Sequence, residues 1–420
     1  VAGAYALAEL MCGIGAGRFF EAERAEPDAF IVVRPILLFG LILIIRRWNG
    51  AARWGGVVAA LALALITEII LLSRLGGFDA RSFAVQLASA LLLAGLLDAL
   101  VQAAGRLGRW AGMLLAAPLA AALIWAQPLA FIQTMAEPWL SPTPEKLAKL
   151  PPLVVVTGLP IVRGEGDIGA LLSGTAAPAE SWRWLERHFR TTPVDFVTPE
   201  ALAGRGLLLL AQPRTLQPQE LVAIDDWLRS GGRALVLADP ALHWDSRYPL
   251  GDPRAPPPMS LLDPLMTRWG VRLDQGEPGP VIMDVVVAGR RWRVAMDAAG
   301  VFVATGEGCR AESDGRLARC TVGDGQVLLV ADADLMADRL WVAAGADGAA
   351  RVRRLADNGP VLGAWLDSLG GISRDRGAEA VRWFAPGVSW LTALALACIP
   401  ALFALIAGLF MRFWPRSRAA

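Results

Sequence analysis

The stretch LLLLAQPRTLQPQELVAIDDWLRSGGRALVLADP, from Leu207 to Pro240, leaves the chain few folds to choose from. Leu207–Ala211 is a short apolar run closed by Gln212-Pro213, the pattern of a strand buried on both faces. Pro218 suits a first helical turn, where its missing N–H has no intrahelical partner to lose. Leu221, Ile224 and Leu228 then share one helical stripe, with Asp225, Asp226 and Arg229 expected on the solvent side. Gly231-Gly232 ends the helix, since glycine takes the left-handed conformation at little cost. Ala234–Ala238 reads as a second buried strand, closed by Asp239-Pro240. Two buried strands joined by such a helix form a parallel βαβ unit with a right-handed crossover.

The flanking sequence extends this unit. Leu153–Thr157 is a further buried strand, Val194–Val197 is expected as the second, and Gln326–Ala331 returns to the same pattern. Ser181 is expected to cap a helix over Trp182–Phe189. Asn358 is expected to cap a last helix, whose stripe is Val361, Trp365, Leu366 and Leu369. Val281–Val287 and Arg291–Met296, around Ala288-Gly289, read as a hairpin, and Val301–Thr305 precedes another. The economical architecture is a doubly wound α/β domain with an antiparallel β insertion. At roughly 230 residues it is large enough to bury its own core.

The rest of the chain is different in kind. Of 420 residues, 55% are hydrophobic, and mean hydropathy is +0.45. That balance predicts a multi-domain membrane protein, a transmembrane helical bundle plus the α/β domain. Apolar segments at 30–45, 55–72, 83–101, 111–132 and 390–410 each approach the roughly 20 residues a spanning helix needs. Val1–Gly17, apolar but carrying Glu9, is read as a membrane-associated helix. The domain plan is a membrane region over 1–136, a Pro- and Lys-bearing linker over 137–152, an α/β domain over 153–385, and a C-terminal helix with a basic tail over 386–420.

Arginines orient the spans. Arg46, Arg47 and Arg53, then Arg106 and Arg109, then Arg412, Arg416 and Arg418 fall in alternate loops, which the positive-inside rule assigns to the cytoplasm. The α/β domain is then extracytoplasmic and the C-terminus cytoplasmic. Arg34 and Glu68 stand inside spans. We expect Arg34 to snorkel from a helix end and Glu68 to face a helix neighbour; the sharper alternative is an intramembrane pair at a functional site.

Cys309 and Cys320 flank Ser313-Asp314-Gly315-Arg316. With Asp314-Gly315 as a two-residue turn, counting outward sets Cys309 opposite Cys320, at a hydrogen-bonded pair and within disulfide range. A bridge there agrees with an oxidising compartment. Cys12 and Cys398 lie in apolar segments and read as packing residues.

Chemistry is sparse. Net charge is +1 with no long basic run, which argues against nucleic acid as a partner. Two histidines, His188 and His243, and four cysteines show no metal-ligand spacing, so neither metal nor cofactor is expected. Gly164-Glu165-Gly166-Asp167-Ile168-Gly169 matches a dinucleotide fingerprint literally, but its two acids would repel a pyrophosphate and we read it as a polar loop. The sequence lacks the phosphate loop G-x-x-x-x-G-K-[ST], so the chain is not itself a transporter's ATPase, and if it serves one another subunit hydrolyses ATP. No nucleophile follows a buried strand in a sharp turn, and no catalytic residue is assigned. Thr157, Gln212, Asp239, Asp332 and Asp334 follow candidate parallel strands, the edge where open α/β sheets bind ligands. The acids read first as turn and helix caps, and second as a rim for a hard cation or polar ligand. Trp244, in the Pro-rich loop after Asp239-Pro240, is the candidate exposed interface residue.

Glu220, Trp227, Leu228, Gly231, Gly232, Asp239 and Pro240 carry a likeness. With them, the region from about Leu153 to Leu369 resembles the ABC-type uncharacterised transport system family, which includes the GldG-like gliding-motility auxiliary components. The resemblance implies a flavodoxin-like, amidotransferase-like α/β domain. It also implies a non-enzymatic auxiliary subunit in the bacterial inner membrane, served by a permease and a separate ATPase. This sequence has about four spans before the domain, where the family typically has fewer. The other readings are an envelope ligand- or glycan-binding sensor and, third, a membrane-bound amidotransferase-like hydrolase.

Overall fold

The structure, a computed structural model, describes residues 1–17, 24, 28–75, 80–106, 118–119, 121–123, 125–129, 131–132, 135, 149–165, 177–204, 206–249, 251–341, 355–377, 380–381, 383–384 and 387–413. The chain divides into two units, Val1–Thr143 with Arg382–Ala420, and Pro144–Val381.

The first unit is helical. α1 (Ala2–Gly17), α2 (Asp28–Ile45), α3 (Gly50–Leu75), α4 (Ala80–Arg106) and the helix Trp390–Phe413 are its long elements. Gly50–Leu75, Phe83–Arg106 and Trp390–Met411 are long and apolar enough to cross a membrane, and Ala29–Ile45 is a shorter apolar helix. Residues 111–117, 120, 124 and 130 of the expected span at 111–132, and residues 137–148 of the linker at 137–152, lie outside the described residues. One expectation is overturned. Arg34 does not snorkel; it is wholly buried and bonds Glu9 of α1 and Glu68 of α3. A charged head without water must find an opposite charge, and two flanking helices supply one each.

The second unit is built on seven strands in the order β2-β1-β3-β4-β11-β10-β9. β1 (Pro152–Thr157), β2 (Arg190–Pro193), β3 (Leu207–Ala211), β4 (Arg233–Leu237) and β11 (Gly325–Val330) are parallel. β9 (Cys309–Glu312) and β10 (Leu317–Val322) add an antiparallel margin. The second strand begins at Arg190 and not at Val194, because the helix before it ends at His188 and the chain pairs with Pro152 at once.

Alternation along the strands makes two cores. Leu153, Val155, Leu209, Leu235, Leu237, Leu328 and Val330 face one layer, with Trp182 and Trp184 of α5 (Glu180–His188). Val154, Val156, Leu208, Leu210, Val236, Leu329 and Ala331 face the other, with Ile224 and Leu228. On that second side lie the turn α6 (Pro199–Leu202), α7 (Pro218–Arg229) and α8 (Asp263–Trp269). The short α9 (Asp338–Trp341) and the last helix α10 (Asn358–Gly370) belong to the first side. Helices on both faces make the sheet doubly wound. β6 (Pro280–Val287) and β7 (Arg290–Asp297) form the expected hairpin, whose Val285, Val287, Trp292 and Val294 join the first core. β5 (Val271–Asp274) and β8 (Val301–Ala304) pair separately.

Several polar residues take roles other than those expected. Asp225 is buried: its Oδ2 accepts from Arg229 at 2.8 Å and Arg268 at 2.7 Å, and its Oδ1 from Trp269 Nε1 at 3.1 Å, joining α7 to α8. Ser181 lies inside the first turn of α5, whose leading N–H, on Glu180, donates to Asp338 Oδ1 at 2.8 Å. Asn358 exchanges both amide bonds with the backbone of Ala295, at 2.9 Å each, and so fastens α10 to β7. Asp367 holds the segment after α10, accepting from Arg376 Nε at 2.7 Å and Arg374 Nε at 3.1 Å, while Arg374 Nη1 reaches the His188 carbonyl at 2.9 Å.

Cys309 and Cys320 are joined by a disulfide and stand opposite each other, as the register count predicts. The parity differs. Thr321 N–H donates to the Gly308 carbonyl at 2.8 Å, one step outward, so the cysteines occupy the closer, non-hydrogen-bonded class, with Cα atoms 4.1 Å apart. The connection Ser313–Arg316 is a four-residue loop closed by Glu312 and Leu317, which shifts the alternation by one. Replacing both cysteines by serine should lower the unfolding free energy by about 2–3 kcal/mol, as expected for a short closed loop. Denaturant titration of oxidised wild type, reduced wild type and the double variant checks this: the last two should coincide.

Candidate functional site

The parallel strands end side by side, with Thr157 opposite Ala211, Ala211 opposite Leu237, and Leu237 opposite Val330. The next residues therefore gather at one edge, which brings together Thr157, Gln212, Asp239, Asp332 and Asp334. Thr157 Oγ1 donates to the Ala211 carbonyl at 2.8 Å and accepts from Leu159 N–H at 3.0 Å. Gln212 has a positive φ of 43°, an uncommon backbone for a residue with a side chain. Its own carboxamide holds it there: Nε2 donates to the carbonyls of Asp239 at 3.2 Å and Pro257 at 3.3 Å, and Oε1 accepts from Asp239 N–H at 2.9 Å.

The three aspartates are buried, and most of the hydrogen bonds they accept come from backbone N–H groups. Asp239 accepts from Ala241 at 2.8 Å and Ala333 at 3.0 Å. Asp332 accepts from Asp297 at 2.7 Å and Leu335 at 2.6 Å. Asp334 accepts from His243 N–H at 2.7 Å and from Arg339 Nη2 at 2.9 Å. Burial pushes the Asp239 carboxyl up to about 6, against the pull of the Ala333 and Ala241 N–H groups. Burial also holds Asp332 well above the usual carboxylate range, with Asp239 adding to the effect. Asp334 is raised by burial too, opposed by the His243 N–H and Arg339. These buried acids tie turns together.

The loop after β4 lies over this edge. Ser260 N–H donates to the Asp239 carbonyl at 2.6 Å, and Leu242 N–H to the Pro258 carbonyl at 2.9 Å. Arg214 binds the carbonyls of Ala255 at 3.0 Å and Arg254 at 3.1 Å. The fit at Gly158 is close: a Cβ there would stand 2.7 Å from the Gln212 carbonyl oxygen and 2.8 Å from Pro257. Among the described residues, the segment through Pro257, Pro258 and Ser260 lays backbone against Gln212 and Asp239 at this edge.

Outside this layer lies a group the sequence reading missed. Arg339 Nη1 binds Asp297 Oδ2 at 2.7 Å, and its Nη2 also reaches the His243 carbonyl at 3.1 Å. The half-exposed His243 ring sits with Nδ1 3.5 Å from Asp297 Oδ1. Asp297 closes an antiparallel strand and Arg339 lies in a one-turn helix, so no spacing in sequence links them to His243. Trp244 is partly buried against the first core. His188 gives its Nδ1 to the Trp184 carbonyl at 2.7 Å and stacks on the Trp184 ring, a packing role. In the Gly164–Gly169 string, Glu165 accepts from Arg247 N–H at 2.7 Å, and residues 166–169 lie outside the described residues. Among the described residues, no group of three His, Cys, Asp or Glu side chains is placed to hold a metal ion.

The residues that carried the family resemblance have local work. Glu220 Oε2 accepts from Gln217 N–H at 2.7 Å at the start of α7, and its Oε1 accepts from Val197 N–H at 2.7 Å. Gly232 lies directly beneath Trp227, whose ring a Cβ would meet at 2.4 Å.

Residues 171–285 match the family described as ABC-type uncharacterized transport system. No curated protein matches the chain. Solved structures with partial likeness include an exo-β-1,4-mannosidase from Opitutaceae bacterium strain TAV5, with 13% identity, TM-score 0.27, and coverage of 50% of this chain and 35% of that one. A β-galactosidase from the haloarchaeon Halorubrum lacusprofundi gives 17% identity, TM-score 0.31, and coverage of 58% and 34%. A cytoplasmic protein from Salmonella typhimurium LT2 gives 14%, 0.27, and coverage of 36% and 74%. The chain spans about a third of the length of these glycosidases, and at such scores the likenesses have no bearing on activity.

The raised carboxyl of Asp239 has a measurable consequence. Its native value of about 6 exceeds the roughly 3.9 of an unfolded aspartate, so the folded state binds the proton more tightly. Its contribution to stability is full below about pH 4 and is lost as pH rises through about 6. The stability of wild type relative to Asp239→Asn should therefore fall across that window, and paired urea titrations at several pH values will read it.

Proposed function

We propose that this chain, whose residues 171–285 carry the ABC-type transport-system domain, is a membrane-anchored, non-enzymatic auxiliary subunit of such a system. The observation that carries this reading is the closed sheet edge. Asp239, Asp332 and Asp334 are buried on backbone N–H groups, and the loop through Pro257 and Ser260 covers them. A small-molecule site at that edge needs a concave opening with polar groups left free to converge on a ligand. A domain whose crevice is filled from within is suited to presenting its outer surface to a protein.

The parallel order, 2-1-3-4 followed by β11, supports a flavodoxin-like core. Three helices of spanning length support anchoring, and the arginine-weighted loops favour an α/β domain on the far side of the membrane. The Cys309–Cys320 bridge agrees with an oxidising compartment there. Bacterial inner membrane is the location this implies, with a permease and a separate ATPase as partners.

Two measurements test the proposal. After gentle detergent extraction, a tagged full-length chain should retain an ATPase carrying a phosphate loop and a multi-span permease; their absence across several detergents would count against it. A compartment-sensitive reporter placed after Leu369 should read extracytoplasmic, and a cytosolic reading would overturn the orientation.

A further inference from the structure

The helical unit buries an ionic group that no part of the α/β unit uses. Tyr5 and Glu9 lie on α1, Arg34 on α2 and Glu68 on α3, each at least nine-tenths buried. Arg34 Nε donates to Glu9 Oε1 at 2.5 Å, and Arg34 Nη2 donates to Glu68 Oε1. Those two N–H groups point in parallel from one edge of the guanidinium, the edge that ordinarily grips both oxygens of a single carboxylate. Here it holds one oxygen from each of two glutamates. The two accepting oxygens, one from each glutamate, therefore lie side by side along that edge. Two carboxylates about 3 Å apart do not both stay ionised; they share a proton.

Charge counting leads to the same place. Two carboxylates and one guanidinium would leave an uncompensated negative charge among apolar helices, where an unpaired ion is costly. Glu9 Oε2, Glu68 Oε2, Arg34 Nη1 and the Tyr5 hydroxyl are buried without a hydrogen-bond partner among the described residues, so acceptor sites remain open around the group. Among the described residues, the surrounding elements bring no second cation to the group. Asp98 of α4 pairs with Arg53 at 2.8 Å, Thr67 Oγ1 bonds its own helix at the Ala64 carbonyl, and Cys398 is the titratable residue in the apolar stretch of Trp390–Phe413.

We propose that Glu9 and Glu68 share one exchangeable proton over Arg34, which makes this cluster a proton-binding site inside the apolar helical unit. The proton keeps the cluster neutral and holds α1 against α2 and α3. Its loss leaves a net negative charge at that junction and loosens α1.

Infrared spectroscopy of the full chain in lipid vesicles tests this directly. Wild type grown with glutamate isotope-labelled at the carboxyl carbon should show a protonated-carboxyl band near neutral pH, where an ordinary solvated glutamate is ionised. The band should move with the label and disappear as pH rises. Glu9→Gln and Glu68→Gln should each remove it while keeping the wild-type thermal midpoint near neutral pH, since a carboxamide replaces the shared acid. Wild type should melt at lower temperature as pH rises from about 7 to about 10, and the single variants should lose most of that dependence. A labelled wild type without such a band anywhere between about pH 6 and 8 overturns the proposal, whether or not the variants fold. A band that survives in both single variants overturns it as well.

Discussion

The α/β unit depends on strands that are apolar on both faces. Odd-numbered residues of β1 and β3 enter one core and even-numbered residues the other, where an unpaired polar group is costly. Polar chemistry can leave such a sheet only where its strands stop. At that edge a free crevice would serve a ligand. In this protein Gln212 and three aspartates engage the turns, and the loop through Pro257 lies over them. The same residues that make the edge look like a binding site make it a closed seam.

A second theme runs through both units. Buried polar side chains join segments distant in sequence: Asp225 joins α7 to α8, Asn358 joins α10 to β7, and Arg34 joins three helices. Each would be a liability unpaired, since a buried polar group left without a partner costs about 1–3 kcal/mol or more. Paired, each permits one arrangement of its neighbours and penalises the others.

What the sequence discloses follows from how local the signal is. The Leu207–Pro240 unit is legible because apolar runs, Pro218 and Gly231-Gly232 punctuate it within a few residues of each other. The facing of Cys309 and Cys320 is legible because register propagates from a turn, though the loop length sets a parity that counting from Asp314-Gly315 misses. Roles that depend on distant partners are not legible. Asp225 falls on the polar side of a helical wheel, yet Trp269 and Arg268 arrive from another helix to bury it. Asn358 and Ser181 carry cap-forming side chains, but the first is taken by Ala295 and the second lies two residues inside the cap position of its helix. The grouping of His243, Asp297 and Arg339 comes from three elements with no shared spacing. Glu9 reads as a blemish in an apolar segment until Arg34 is found beside it.

The chain enters the α/β unit just before β1 and leaves it just after α10, and both crossings lead to the helical unit. β1 is held on both sides by its ladders to β2 and β3. At the exit Asp367 grips Arg374 and Arg376 and binds the outgoing segment to α10. The covalently ringed β9–β10 hairpin stands at the far margin of the sheet. Arg190 N–H donates to the Pro151 carbonyl and Arg374 to the His188 carbonyl, so the way in and the way out share one foothold beside the start of β2.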